Sequence, residues 1–181
     1  MMDIEKAAQI LKNGGIVIFP TDTIYGIGCL ASNKESVGRL YEIKGTPKNQ
    51  KFPLLVSSVR LASQIAIITK DAGELITKHW PGALTIILKS KDRKTTVALR
   101  MPDSQMVLDL IKLVGSPIIG TSANFHGQKT PTSFEELDPK IIMKADFTLI
   151  GQCKKKVEST IIDLTNETPK IIREGAVKIS L

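Results

Sequence analysis

The sequence predicts an α/β fold in which helices flank an open, twisted, mixed β-sheet. Short apolar and often β-branched runs, such as residues 16–19 and 117–119, are bounded by glycine or proline, a pattern typical of buried strands. The segments between these runs repeat apolar residues at helical spacing. No internal repeat, low-complexity tract or linker divides the 181 residues, so we expect one domain over residues 1–181.

The first half of the chain is predicted to alternate helices with strands. Helices are expected from Asp3 to about residue 11, over residues 34–44 after Asn33, after Ser57 or Ser58, and from Asp71 to about Trp80. Strands are expected at residues 16–19, 24–30 and 53–56. The loop at residues 20–23 therefore joins two strands.

The second half is predicted to be richer in strands. Residues 84–88 and 95–101 flank a polar turn and indicate a hairpin, with Arg100 at its far end. A helix over about residues 105–114 then leads to a short buried strand at residues 117–120. Further strands are expected at residues 146–150, 160–164 and 170–173, with a basic loop at residues 151–156.

Composition excludes several classes of protein. No apolar stretch approaches the roughly 20 residues that a membrane span needs, and no apolar run follows a basic start, so we expect no membrane contact and a cytoplasmic location. Cys29 and Cys153 are expected to be thiols, and whether Cys29 is reactive stays open. The net charge of +7 attracts RNA, nucleotide phosphates or acidic lipid, or serves solubility, and does not choose among these.

Three polar loops carry the residues that suit chemistry. Hydroxyl and glycine residues gather at residues 21–28, 120–124 and 158–160, each at the end of a predicted strand. Strand ends are where open α/β sheets bind ligands, so the three loops predict one shared pocket. The alternative for each loop alone is an ordinary turn or cap, because Ser and Thr side chains commonly bond local backbone groups.

Cations that suit an anionic ligand lie near these loops. Lys44, Lys48 and Lys51 fall in a segment that glycine and proline keep out of a helix. Arg100 and Arg173 add planar forks that bind a carboxylate or phosphate through two hydrogen bonds. A solvated basic face is the alternative, and it suits Lys48 and the three lysines at residues 154–156 best.

Several known catalytic devices are absent from the sequence. It contains no Walker-type phosphate loop and no strand-linked G-x-G-x-x-G. The two histidines, His79 and His126, lack the spacing of a metal site, so no protein-held metal is expected. A Cys29–His126 nucleophile pair has no local support, and covalent catalysis is not expected.

The order of short motifs resembles a known family. Pro20-Thr21-Asp22-Thr23-Ile24-Tyr25-Gly26-Ile27-Gly28 is similar to the PT[DE]T-x-YG-x-G opening of YrdC-like proteins, the threonylcarbamoyl-AMP synthases. The similarity continues in order through Ile43-Lys44-Gly45, Pro53-Leu54, Trp80-Pro81-Gly82-Ala83-Leu84-Thr85, Arg100-Met101-Pro102, Thr121-Ser122-Ala123-Asn124 with Gly127, Ser159-Thr160-Ile161-Ile162-Asp163 and Arg173-Glu174-Gly175. These motifs span nearly the whole chain, and the extra C-terminal domain of longer relatives is not expected.

The resemblance implies a fold with a concave, basic cavity and a nucleotidyltransferase reaction. On this resemblance, L-threonine and bicarbonate would form a carbamate, which would attack the α-phosphate of ATP and release pyrophosphate, with Mg²⁺ held mainly by the ATP phosphates. The threonylcarbamoyl-AMP would then serve tRNA modification through a downstream threonylcarbamoyl transferase. A contact with tRNA or double-stranded RNA is also implied.

The resemblance also implies roles for individual residues. Threonine would be bound by Thr23, Arg100 and Ser159, with Thr121 and Lys51 beside it. The nucleotide would be bound by Lys44, Lys48, Ser122, Asn124, Thr132 and Arg173, among which Lys44, Ser122 and Asn124 would stabilise charge on the transferring phosphoryl group.

One departure from the family pattern bears on function. The family usually has Lys-x-Arg where this chain has Lys44-Gly45-Thr46, so a guanidinium is replaced by a neutral hydroxyl. Either Lys48 or Lys51 fills the gap, or the chemistry is weakened or altered; Lys51 stands where some relatives carry histidine. Two alternatives follow: a paralogue acting on another carbamoyl or adenylate substrate, and a non-catalytic RNA-binding module, which the 4% aromatic content disfavours.

Overall fold

A computed structural model describes residues 2–179 and contains both helices and strands. The helices are α1 Met2–Lys12, α2 Lys34–Lys44, α3 Val59–Ile65, α4 Lys70–His79, α5 Gln105–Val114 and α6 Pro139–Lys144. The strands are β1 Val17–Pro20, β2 Tyr25–Gly28, β3 Leu54–Leu55, β4 Leu84–Lys89, β5 Thr96–Arg100, β6 Ile118–Ile119, β7 Thr121–Ser122, β8 Phe147–Thr148, β9 Thr160–Asp163 and β10 Lys170–Arg173. None of these helices is long and apolar enough to cross a membrane.

Side-chain caps set where the helices begin. Asn33 accepts a hydrogen bond from the backbone N–H of Ser36, and Ser58 accepts one from Leu61, so α2 and α3 begin as the sequence predicts. The predicted cap of α4 is wrong. Thr69 accepts from the N–H of Ala72, which places Asp71 inside the first turn, where its charge favours the helix N-terminus.

The predicted mixed α/β character is confirmed, but the strands form two sheets instead of one. One sheet has the order β7-β2-β1-β8 and the other has the order β10-β9-β4-β5-β3-β6. Both are mixed: β1 pairs antiparallel with β2 and parallel with β8, and β4 pairs antiparallel with β5 and parallel with β9. The β4–β5 pairing confirms the predicted hairpin.

The two sheets meet where β2 passes β6. The N–H of Ile119 donates to the carbonyl oxygen of Cys29 (2.8 Å), and Leu30 forms an isolated bridge with Ile118. Gly120 separates β6, which pairs with β3, from β7, which pairs with β2. The predicted strand at residues 117–120 therefore contains β6 alone, and the polar loop expected directly after it begins with the short strand β7 of the other sheet.

Apolar packing accounts for the remaining helices. Helices α3 and α4 cover the six-stranded sheet, and α1 and α5 pack on each other beside β1. Helix α6 was not predicted; Asp138 caps it and Pro139 begins it, but six residues are too few to show helical periodicity.

Cys29 and Cys153 lie buried in the cluster around β1 and β2, and burial raises the pKa of the Cys29 thiol to about 12. The Cys29 thiol is therefore protonated and a poor nucleophile.

Candidate functional site

One cavity of about 750 Å³ is lined by residues of both sheets. All three polar loops predicted from the sequence open into it, which confirms the shared pocket. Its lining includes nine predicted site residues: Thr23, Lys44, Lys51, Arg100, Thr121, Ser122, Asn124, Ser159 and Arg173. Its charged side chains are Lys44, Lys51, Arg100, Lys129 and Arg173, with Glu158 as an acidic residue among them.

Arg100 is buried at the end of β5 and held in place by three hydrogen bonds. Its Nε donates to the carbonyl oxygen of Gly82 (3.0 Å), its Nη1 to Oγ1 of Thr23 (2.9 Å) and its Nη2 to Oδ1 of Asp22 (2.5 Å). A guanidinium carries five N–H groups, so two of them stay available to a ligand. Asp22, for which the motifs predicted no role, is therefore the counter-charge that orients Arg100.

The loop before β2 owes its shape to Thr21. The Oγ1 of Thr21 donates to the carbonyl oxygen of Ile24 (2.7 Å) and accepts from the N–H groups of Thr23 (3.1 Å) and Ile24 (3.2 Å). Thr21 thus stabilises a local turn, which the sequence analysis gave as the alternative to ligand binding for these loops. The turn places the hydroxyl of Thr23 next to Arg100, where it lines the cavity.

Ser159, which also lines the cavity, lies in a polar cluster. Its hydroxyl is 2.9 Å from that of Thr85 and accepts from Nη2 of Arg173 (3.2 Å). Arg173 also donates through Nε to the carbonyl oxygen of Ser159 (3.0 Å) and pairs with Glu158 (3.0 Å). The Arg173 side chain is 37% exposed, so its guanidinium can face a ligand while this pairing orients it.

Lys44 ends α2 with its ammonium group inside the protein. Its Nζ donates to the carbonyl oxygens of Ser122 (2.5 Å) and Asn124 (2.7 Å), which leaves one of its three N–H groups free. Burial lowers the pKa of Lys44 to about 8, although the nearby Glu158 opposes this shift. The ammonium group is thus poorly solvated and has an incomplete set of acceptors, conditions that favour an added anion.

The neighbours of Lys44 differ in how they face the cavity. Thr46 is buried in the cavity wall, two residues beyond Lys44. Lys51 also lines the cavity, and its Nζ donates to the carbonyl oxygen of Thr96 (3.3 Å). Lys48 lies outside the lining, on an exposed turn closed by a bond from the N–H of Gln50 to the carbonyl oxygen of Pro47 (2.9 Å).

Thr132 also lies outside the cavity lining. Its N–H (2.7 Å) and hydroxyl (2.8 Å) both donate to Oε2 of Glu136, which pairs through Oε1 with Lys129 (3.0 Å). Lys129 itself lines the cavity. The local Thr132–Glu136 bonds explain why Thr132 does not face the cavity.

Several lining residues had no role in the sequence analysis: Thr85, His126, Gln128, Lys129 and Glu158. Their positions carried a usable signal, because each lies within two residues of a motif that the sequence singled out. Within residues 2–179 no three His, Cys, Asp or Glu side chains group together as metal ligands. The expectation that Mg²⁺ would be held by phosphates stays a prediction, and Glu158 is the lining carboxylate that would face such an ion.

Comparison with known proteins places the chain among relatives of similar length and longer ones. The Sua5/YciO/YrdC family, described as "telomere recombination", matches residues 9–175. A threonylcarbamoyl-AMP synthase of Bacillus subtilis is 38% identical over 96% of this chain and 54% of its own length. A putative threonylcarbamoyl-AMP synthase of Methanocaldococcus jannaschii is 35% identical, with coverage of 97% and 88%.

Solved structures agree with these matches. Pyrococcus abyssi Sua5 complexed with L-threonine has a TM-score of 0.87 and 33% identity, over 95% of this chain and 54% of that one. Escherichia coli YciO has a TM-score of 0.83 and 27% identity, over 95% and 88%. The chain thus spans about half the length of the Bacillus and Pyrococcus proteins and most of YciO. These matches confirm the resemblance seen in the motifs, and the chain belongs to the Sua5/YciO/YrdC family.

Proposed function

We propose that the chain synthesises threonylcarbamoyl-AMP from L-threonine, bicarbonate and ATP and releases pyrophosphate. The observation that carries this proposal is the pairing of two buried cations in one cavity. Arg100 keeps two N–H groups free and Lys44 keeps one, so the cavity offers a fork for a carboxylate and a point charge for a phosphate. Threonine supplies a carboxylate, and ATP supplies phosphates.

The Arg100 end of the cavity suits threonine. The guanidinium of Arg100 binds the carboxylate. The hydroxyl oxygens of Thr23 and Ser159 already accept hydrogen bonds from the two arginines and lie 2.9 Å from the hydroxyls of Thr21 and Thr85, so each serves the amino acid's own hydroxyl or amine as an acceptor. The Pyrococcus protein of the same fold forms a complex with L-threonine, which supports this assignment. Because the ion pair with Asp22 already orients Arg100, the guanidinium needs little reorganisation when threonine binds.

The Lys44 end suits the nucleotide. An oxygen of the carbamate forms a bond to the α-phosphorus, and the bond from that phosphorus to the pyrophosphate oxygen breaks. Charge builds up on the phosphoryl oxygens, where Lys44, Ser122 and Asn124 stabilise it from fixed positions, and Arg173, which lines the same cavity, also binds the phosphates. Bound Mg²⁺ would supply further charge neutralisation. No protein nucleophile is required.

The names of the relatives support the same reaction. The Bacillus protein is a threonylcarbamoyl-AMP synthase and the Methanocaldococcus protein a putative one. On this proposal the product passes to a downstream threonylcarbamoyl transferase for tRNA modification in the cytoplasm. A tRNA or double-stranded RNA contact is part of the same proposal.

The test is pyrophosphate release by the purified protein with ATP and Mg²⁺, with threonine and bicarbonate each added or omitted. We expect release only when both are present, and loss of release in Lys44→Ala with an unchanged circular dichroism spectrum. Lys140→Ala, which removes an exposed lysine of α6, is the matched control and keeps full activity. Pyrophosphate release that is the same with and without threonine, or with and without bicarbonate, contradicts the proposal.

Thr46 favours a second candidate, a paralogue that acts on another carbamoyl or adenylate substrate. A neutral threonine buried in the cavity wall, where the family pattern has arginine, changes the charge offered to the ligand. Pyrophosphate release with serine or other amino acids in place of threonine distinguishes the two. RNA affinity that falls steeply as the salt concentration rises, without ATP turnover, would instead support the non-catalytic RNA-binding module.

A further inference from the structure

Position 46 leaves a deficit of positive charge beside Lys44. Lys44 has one free N–H, and the hydroxyl of Thr46 is uncharged, whereas a nucleoside triphosphate brings several negative charges into the cavity. Binding that much charge in a partly buried site requires further cations close by. Lys48, one of the two residues expected from the sequence to fill the gap, lies outside the cavity lining.

The loop at residues 124–130 lies beside Lys44, where this positive charge is missing. Two hydrogen bonds join it to Lys44: the N–H of His126 donates to the carbonyl oxygen of Lys44 (2.7 Å), and Nζ of Lys44 donates to that of Asn124 (2.7 Å). Within the loop, Nδ2 of Asn124 donates to the carbonyl oxygen of Gln128 (2.5 Å), which closes the turn. The loop is therefore fixed against the end of α2 and presents His126 and Lys129 to the cavity.

Lys129 is held at the cavity by an anchored carboxylate. Glu136 receives two hydrogen bonds from Thr132 and pairs with Nζ of Lys129 at 3.0 Å. These bonds lower the pKa of Glu136 to about 2, so it is ionised at neutral pH. The Lys129 side chain is 81% exposed, and exposed ion pairs are weak, so a phosphate competes readily for its ammonium group.

Lys51 is the rival for this role and differs in its attachment. Its Nζ donates to the carbonyl oxygen of Thr96 at the start of β5 in the six-stranded sheet. The loop that carries Lys129 is instead hydrogen-bonded to residue 44 itself. The two lysines thus approach the cavity from different elements, and substitution separates them.

We propose that Lys129 binds the nucleotide phosphates and supplies the positive charge that Thr46 does not, with an imidazole N–H of His126 as a second donor. Thr132 and Glu136 are then positioning residues that act through Lys129, which gives Thr132 an indirect part in nucleotide binding. This inference rests on the proposed function, because it requires the cavity to take a nucleoside triphosphate.

The experiment measures dissociation constants by titration calorimetry for ATP, pyrophosphate and adenosine. Lys129→Ala is expected to weaken ATP and pyrophosphate by about tenfold and to leave adenosine unchanged, since it removes one charge-assisted hydrogen bond to phosphate. His126→Ala is expected to weaken them about threefold. Lys140→Ala, an equal charge change on α6, is expected to leave all three constants unchanged. Equal losses for adenosine and ATP overturn the proposal.

A double-mutant cycle tests directly whether Lys129 supplies the charge that an arginine at position 46 would supply. If Lys129 replaces the missing arginine, Thr46→Arg restores ATP affinity in the Lys129→Ala background, and the tenfold penalty falls to about twofold or less. If Lys129→Ala weakens ATP binding equally with and without Thr46→Arg, the two positions are independent and Lys129 does not replace the missing arginine. If Lys51→Ala produces the penalty and Lys129→Ala does not, Lys51 holds the role and the proposal is wrong.

The readouts separate this inference from the proposed reaction. Binding of ATP and pyrophosphate does not require threonine, bicarbonate or turnover. A protein that binds ATP tightly with no contribution from Lys129 contradicts only the inference. A protein that binds neither ATP nor pyrophosphate contradicts the proposed function, and the inference fails with it.

Discussion

Lys44 shows how a single residue joins folding to ligand binding. Its ammonium group is buried against two backbone carbonyls and has no carboxylate within salt-bridge distance among the described residues. A bound phosphate adds the missing negative charge and favours the protonated form, which desolvation disfavours in the free protein. On the proposed function, nucleotide affinity is therefore linked to the protonation of Lys44.

This linkage predicts a pH dependence of ATP binding. The pKa of Lys44 is about 8 in the free protein, so the amine loses its proton above that pH, and ATP must then bind together with a proton. We expect ATP affinity to fall by up to about tenfold per pH unit from pH 8 upward, and to vary little below pH 8 through this group. Calorimetry between pH 7 and 9.5 measures it.

Lys44→Met is the control for the pH dependence. It keeps an apolar stem of similar length but cannot titrate, so its weaker ATP affinity should stay flat over the interval in which the native protein loses affinity. His126, Lys51, Lys129 and Glu158 line the same cavity and are the same in both proteins. Parallel pH curves for the two proteins would contradict the role of Lys44.

At the scale of single elements, local chemistry made most boundaries predictable. Asn33 and Ser58 cap their helices in the predicted places because a side-chain oxygen can satisfy a free N–H without any tertiary contact. The cap of α4 was misplaced by two residues, since both Thr69 and Asp71 suit a cap and only the backbone conformation decides between them. Helix α6 was missed because its signal is a cap and a proline without periodicity.

The end of α2 is the element boundary that matters most for the site. Gly45 has φ 63°, and the N–H groups of Gly45 and Thr46 donate to the carbonyl oxygens of Glu42 (3.3 Å) and Tyr41 (3.2 Å), the two bonds of a Schellman motif. This turn ends the helix directly after Lys44 and brings Thr46 into the cavity wall. Left-handed backbone favours glycine there because other residues place Cβ too near the following carbonyl oxygen.

Gly45→Ala is therefore expected to lower the free energy of unfolding by about 1–2 kcal/mol. Apart from its neighbours along the chain, no described residue has a heavy atom within 4 Å of the place that the new methyl group would take. The loss therefore comes from the backbone conformation and not from a clash. Gly38→Ala, in the middle of the same helix, is the control and should raise stability by about 0.5–1 kcal/mol. Urea unfolding of both variants measures the difference, and a Gly45→Ala variant as stable as the native protein would contradict it.

At the scale of the whole molecule, the site was more predictable than the sheet arrangement. The three polar loops were expected to meet because strand ends share an edge, and they do line one cavity. The division into two sheets depends on which strands pair across long sequence distances, as in the β4–β9 and β1–β8 pairs, and local patterns carry no such information. The same reason hid the partnership of Asp22 with Arg100, which are 78 positions apart.

The junction between the sheets is the feature on which the cavity depends, and Gly28 lies at its tightest point. A Cβ atom on Gly28 would stand 1.7 Å from the carbonyl oxygen of Ile119, which is backbone and cannot rotate away. Any side chain at position 28 therefore forces β2 and β6 apart. Since the cavity is lined from both sheets, this separation also moves Thr23 and Ser122 relative to Arg100.

We expect Gly28→Ala to lower the free energy of unfolding by about 1–3 kcal/mol, the usual effect of overpacking a filled interior. Gly73→Ala in α4 makes the same chemical change in open space and is expected to be neutral or stabilising. Urea unfolding measures both, and ATP titration under conditions where both variants are folded measures the site. Because the junction sets the distance between the cavity walls, Gly28→Ala should also bind ATP more weakly while Gly73→Ala binds it normally. A Gly28→Ala variant with native stability and native ATP affinity would show that the sheets can separate at this point without disturbing the cavity.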